Sequence, residues 1–225
     1  MSDLLSELGK HQHSIKPVID YDWTKQPYLE LDLSENNETL KGIDLNAEAS
    51  FTNFVFDQIR TKAVPFAVGG YAESRALYSR SHLFVGEEQR TEHLGMDVWG
   101  AAGTAIHTPL AGTVHSFANN AVHGDYGPVV ILRHSIGDID FHSLYGHMSL
   151  SSLDGLYEGK RINAGEVIGH FGVYAENFHW PPHLHFQVIM DMQGIKGDYP
   201  GVCKKSESSF YLENCPDPSM LLKFK

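Results

Sequence analysis

Basic residues and cysteines are scarce in this chain, and no apolar run approaches the length of a membrane span. The 17 Lys and Arg against 28 Asp and Glu give a formal net charge of -11 with histidine neutral. Such a balance argues against nucleic acid or an anionic membrane as partner, because counterion release needs a basic surface. Two cysteines, Cys203 and Cys215, are too few for a disulfide framework and lack the spacing of a zinc motif. They read as two reduced thiols in a reducing compartment, with a single bridge closing the C-terminal loop as the alternative. Met1 to Lys10 has no basic stretch followed by an apolar one, so no signal peptide is read. The expected location is the cytoplasm, with export by an unrecognised route left open.

What is present is glycine, 21 of 225 residues, among many Val, Thr, Phe and Tyr positions, a texture of β structure with tight turns. Residues 1 to about 45 read as polar and loop-rich, with one alternating stretch, Tyr28–Leu33, suited to an edge strand. A helix is expected near 47–60: Asn46 suits its N-cap, and Phe51, Phe54, Val55 and Ile59 fall on one face. Tyr71–Phe84 carries no assignable period. From Gly86 onward, short runs such as Ala105–His107, Gly112–His115, Val129–Leu132 and Val167–Gly169 alternate with turn residues. This rhythm predicts a mainly β chain built on a compact antiparallel sheet. Three segments follow: an N-terminal extension 1–85 packed on the core, a central domain 86–190, and an irregular tail 191–225.

Fourteen histidines make any single one uninformative. Position is what counts. In a strand, His183 and His185 share a face, and two imidazoles on one apolar face cost desolvation unless a metal or hydrogen bonds satisfy them. His93 and Asp97 would share a face too if extended, and Gly95 with Val98-Trp99 favours that over a helix. Alone, each pair has an ordinary alternative: a surface histidine beside a solvated aspartate, or one buried and one exposed histidine. Meeting across a sheet, the two pairs would supply three metal ligands and a spare histidine for acid–base work. His147, in Leu144-Tyr145-Gly146-His147-Met148, is a third element.

Six blocks in this order resemble the M23 metallopeptidase family, the lysostaphin/LytM-type peptidoglycan endopeptidases, over roughly residues 86–190. They are His93-Leu94-Gly95-Met96-Asp97-Val98; Thr104 with Pro109-Leu110-Ala111-Gly112-Thr113-Val114; and Tyr126-Gly127 with Val129-Val130-Ile131 and His134. The others are Leu144–Met148, Gly159 to Gly172, and His183-Leu184-His185-Phe186. The resemblance implies Zn2+ held by His93, Asp97 and His185, with His147 and His183 as two catalytic histidines outside the ligand set. It also implies hydrolysis of a peptide or amide bond in peptidoglycan or a muropeptide-like substrate. Two His and one carboxylate leave an open position on zinc for an activated water. One of His147 and His183 would take that water's proton while the other binds the oxyanion; the sequence leaves open which. For His134 a structural or supporting role is expected, and for Tyr145 a place in the core.

Two features depart from the family pattern. The approach to the final histidine pair, Tyr174–Pro182, is bulky and stiffened by Pro181-Pro182, where secreted members carry a small, Gly-rich turn. Trp180 there either lines the cleft or packs beneath the loop. A cytoplasmic member would act on recycled muropeptides, another peptide or a non-peptide amide. The alternative to an enzyme is a non-catalytic, zinc-containing binding or regulatory module of the same fold, although all five site positions keep their residue types. A cupin-like oxygenase fits less well, since Gln187-Val188-Ile189 follows His185 where a glutamate is wanted. The oligomeric state is not readable from the sequence.

Overall fold

The computed structural model describes residues 2–44, 47–75 and 88–224. Its frame is an eight-stranded sheet in the order β1-β2-β4-β11-β8-β7-β6-β9. These strands are β1 (Leu29–Leu31), β2 (Ala67–Gly69), β4 (Met96–Trp99), β6 (Gly112–Asn120), β7 (Gly127–Ile136), β8 (Ile139–Gly146), β9 (Arg161–Ile162) and β11 (His183–Ile189). Every neighbouring pair is antiparallel except β1 with β2. Two short ribbons complete the β structure. One pairs β5 (Ala105–His107) with β10 (Val167–His170), the other β3 (Arg90–His93) with β12 (Val202–Lys204). The mainly β, antiparallel architecture is the one the sequence predicts.

All of β11 is buried, so both sheet faces are covered there. Leu184, Phe186 and Val188 point into the main apolar cluster with Tyr145, Val130 and Leu132. His183, His185, Gln187 and Ile189 take the opposite face. A second cluster covers that face on one side: Phe51, Val55 and Ile59 of helix α2 (Glu48–Lys62) pack with Trp99 and Trp180. The period predicted for this helix is the one observed, with its N-cap position at Ala47. Asn46 lies outside the described residues. On the other side, Leu94, Tyr126, Leu144 and Tyr199 form a third cluster with both cysteines, which are free thiols.

The segments read as irregular contain more structure than expected. Residues 2–10 form a helix, α1 (Ser2–Lys10), whose Leu4 and Leu8 are buried in the main cluster with Ile15, Val18, Ile19 and Trp23. Nine residues are too few for an isolated helix to be stable, so the stabilisation comes from this docking rather than from local propensity. The tail supplies β12 and two short helices, α3 (Ser208–Asn214) and α4 (Ser219–Leu222), with Leu221 and Leu222 in the main cluster. In the extension, the edge strand expected over Tyr28–Leu33 is present as β1, and β2 lies beside it. Among the described residues no helix is long and apolar enough to cross a membrane.

His134 of β7 has the structural role expected of it. Its Nδ1 lies 3.0 Å from the Ala111 carbonyl, its Nε2 2.7 Å from Ser143 Oγ, and its ring stacks on Phe141. Burial pulls its pKa down to about 4. An unfolded histidine titrates near 6.5, so the unfolded chain binds the extra proton as pH falls from about 6.5 to 4. Stability is therefore complete above that window and declines within it, by roughly 3 kcal/mol for this one group. Denaturant unfolding followed across pH 4–7.5 should show a shallower acid decline for His134→Gln than for the wild type. Parallel curves would assign the acid sensitivity to other groups.

Candidate metal centre

The antiparallel register of β4 with β11 sets His185 opposite Asp97 and His183 opposite Trp99, all on one face of the sheet. His93 comes from the end of β3. The expectation of one extended segment from His93 to Asp97 needs correction, because the chain breaks at Leu94-Gly95 between two strands of different sheets. The two side chains converge all the same. Asp97 Oδ1 lies 3.3 Å from His93 Nε2 and 3.1 Å from His185 Nδ1, and the two nitrogens are 3.0 Å apart. All three residues are buried, and among the described residues they are the group that could hold a metal ion.

The far side of each ring fixes its tautomer. His93 Nδ1 is 2.8 Å from the Gly70 carbonyl, which can only accept, so that nitrogen carries the proton. His185 Nε2 donates in the same way to Gln187 Oε1, 2.9 Å away, while Gln187 Nε2 donates to Pro200 O and Cys215 Sγ. Burial pulls the His93 pKa down to about 4, reinforced by the Arg75 charge, so its Nε2 is a bare lone pair. Burial by itself raises the Asp97 carboxyl. The neighbouring His93 ring, the Arg75 guanidinium and the His185 ring together outweigh it and hold the group well below the usual carboxylate range. In these tautomers one nitrogen of each ring and a carboxylate oxygen face one point, an arrangement that a cation would satisfy. Ligands of a tetrahedral zinc, at bonds of about 2.0–2.1 Å, lie about 3.3 Å from one another. The spacing and the donor set fit zinc.

His147 and His183 stand beside this trio. His183 stacks on Trp99 at 3.9 Å and 17°, and its ring centre is 4.0 Å from that of His147. Its Nδ1 donates to the Pro181 carbonyl at 2.7 Å, leaving Nε2 as an acceptor. Burial pulls His183 down to about 4 and His147 well below the usual histidine range, the latter aided by the His183 and His185 charges. His147 adopts a left-handed backbone, φ 61°, at the end of β8. Such a conformation costs about 1–2 kcal/mol for a residue with a Cβ. Two backbone bonds hold it there, His147 N to Tyr126 O at 3.0 Å and Gly172 N to His147 O at 2.9 Å. This turn parts His147 from Tyr145, which lies in the main core on the other face, as expected of it.

These side chains line a cavity of about 290 Å3, bounded opposite by Tyr126 and the tail segment Asp198 to Val202. Trp180 satisfies both of its expected roles, since it lines the cavity and packs edge-on against Phe51. Among the other lining residues, burial raises the Asp125 carboxyl to about 6, with the Asp198 charge adding to it, and burial raises Asp198 as well. The structure also adds residues that sequence reasoning missed. Arg75, from the segment without a period, donates from Nη1 to Asp97 Oδ2 at 2.6 Å. Gln187 and the carbonyls of Gly70 and Pro200 orient the candidate ligands His93 and His185, and no pattern in the sequence marks them. His107, His115, His134 and His142 lie outside this cavity.

Residues 91–196 match the family model described as Peptidase family M23. Among solved structures, the chain is similar to a peptidase M23 from Pseudomonas aeruginosa at 22% identity, covering 58% of this chain and 43% of that one, with a TM-score of 0.37. It is similar to Helicobacter pylori Csd3 at 27% identity, covering 55% and 32%, with a TM-score of 0.35. The catalytic domain of lysostaphin from Staphylococcus simulans is 19% identical, with 62% and 86% covered and a TM-score of 0.41. The chain therefore spans under half the length of the first two. No curated protein matches the chain significantly.

Gly95 lies directly against the His185 ring. A Cβ there would lie 2.7 Å from His185 Cε1, from His185 Nε2 and from the Phe186 carbonyl. Gly95→Ala should therefore destabilise the fold by about 1–3 kcal/mol, read from denaturant unfolding. An unchanged midpoint would mean that His185 can shift freely.

Proposed function

We propose, from the match of residues 91–196 to the model of peptidase family M23, that this protein is a zinc-dependent metallopeptidase. It hydrolyses a peptide or amide bond in peptidoglycan or a muropeptide-like substrate. The observation that carries this reading is the convergence of His93 Nε2, His185 Nδ1 and Asp97 Oδ1 on one buried point. His93, Asp97 and His185 would hold the ion. A zinc ion, when bound, supplies a Lewis acid that acidifies water and polarises the scissile carbonyl.

The chain's own residues carry the proton chemistry. His183, with Nδ1 committed to Pro181, presents Nε2 as the acceptor that takes the proton from the attacking water. The Trp99 ring stacked beneath it holds the imidazole plane and excludes water from that side. His147 is a neutral donor held by its backbone bonds beside His183, and it meets the negative charge that develops on the carbonyl oxygen. The apolar walls, Trp180 and Tyr126 among them, lower the local dielectric and so strengthen these interactions.

Protein purified without added metal should contain about one zinc per chain by elemental analysis. His147→Ala and His183→Ala should each keep the zinc and lose at least about a hundredfold in turnover. Mass spectrometry of muropeptides and a peptide library after incubation identifies the cleaved bond. Metal-free protein with full biological activity would overturn the enzyme reading in favour of a binding module. Unchanged turnover in both variants would remove the two histidines from their roles.

A further inference from the structure

The Asp97 carboxylate has two oxygens with different surroundings. Oδ1 faces His93 and His185, while Oδ2 accepts a hydrogen bond from Arg75 Nη1 at 2.6 Å, and the Arg75 side chain is 1% exposed. From this arrangement we infer that Arg75 is a positioning residue for the metal ligand. By engaging Oδ2, it makes Asp97 a one-oxygen ligand and keeps a coordination position free. The inference rests on the metal-centre reading above and goes beyond it, because Glu73 and Arg75 lie outside the matched residues 91–196.

Arg75 is itself built into place. Its Nε donates to Glu73 Oε2 at 2.5 Å, and Glu73 Oε1 accepts from Leu33 N at 3.1 Å. Backbone bonds from Ala72 N to His93 O, His93 N to Glu73 O and Arg75 N to Thr91 O run this segment alongside β3. The position next to the guanidinium is Gly69, where a Cβ would come within 2.8 Å of Arg75 Nη2. Burying a guanidinium costs several kcal/mol unless its hydrogen bonds are met, so a purely space-filling role would be served better by an apolar side chain. What the guanidinium adds is directional. A charged donor on Oδ2 stops the carboxylate from turning both oxygens to the ion, which would fill the position that water needs.

The test uses the full chain as wild type, Arg75→Gln and Arg75→Lys, each loaded with Co2+ as the optical probe. Wild type should give the intense visible bands of four-coordinate Co2+, and Arg75→Gln the weaker bands of a higher coordination number. Zinc affinity, measured by chelator competition, should fall about 10–100-fold in Arg75→Gln. Arg75→Lys, which restores one charged donor, should recover part of it. If Arg75→Gln fails to fold, Glu73→Gln loosens the guanidinium from its far side and should lower the affinity severalfold. Folded variants with wild-type spectra and wild-type zinc affinity would overturn the inference while leaving the metal centre standing. Wild-type protein that binds neither ion would overturn the metal-centre reading itself.

Discussion

Asp97 opposite His185 is the pairing on which the rest of the site hangs. Strand side chains alternate with a period of two, so this register places Trp99 under His183 and Gly146 against His185. A slip of one residue would turn Asp97 and Trp99 into the apolar cluster and bring Val98 and Met96 to the histidines. The register is guarded by what lies on the other face. Leu184, Phe186 and Val188 are buried with Val98 and Tyr145, and none of these could face the polar cavity without exposing apolar surface.

Gathering these groups in a buried place works against the fold, and the neighbouring chain segments answer for it. A buried carboxylate and guanidinium cost far more unpaired than paired. Arg75 joins Asp97 to Glu73, Glu73 is joined to Leu33, and His93 reaches the Gly70 carbonyl. Each of these partners comes from the N-terminal extension. On the other side, Gln187 joins His185 to Pro200 and Cys215 of the tail. Extension and tail therefore satisfy the polar groups that the central strands leave open, in addition to adding apolar area.

What the sequence made legible were features with a short period or a local motif. His183 and His185 share a face because β11 is regular, and Phe51, Val55 and Ile59 share one because α2 is. The convergence of His93 with Asp97 was readable from type and order, yet not its route, since a break at Leu94-Gly95 leaves no periodic trace. Arg75 was out of reach for a related reason. Its role is set by contacts with Asp97 and Thr91, 22 and 16 positions further on, in a segment whose own residues show no alternation. Helix α1 was missed because two leucines on one short face say little until the cluster that receives them is known.

The tail carries the last constraint. Its residues 198–202 form one wall of the cavity, and they are bonded to the elements that bear the candidate ligands. Leu94 N donates to Gly201 O at 2.9 Å directly after His93, and Gln187 Nε2 donates to Pro200 O at 3.1 Å, two positions beyond His185. Tyr126 OH donates to the Tyr199 carbonyl at 3.1 Å, and its ring lies 5.2 Å from that of His185. The segment that walls the cleft therefore also holds Gln187, the partner of His185 Nε2.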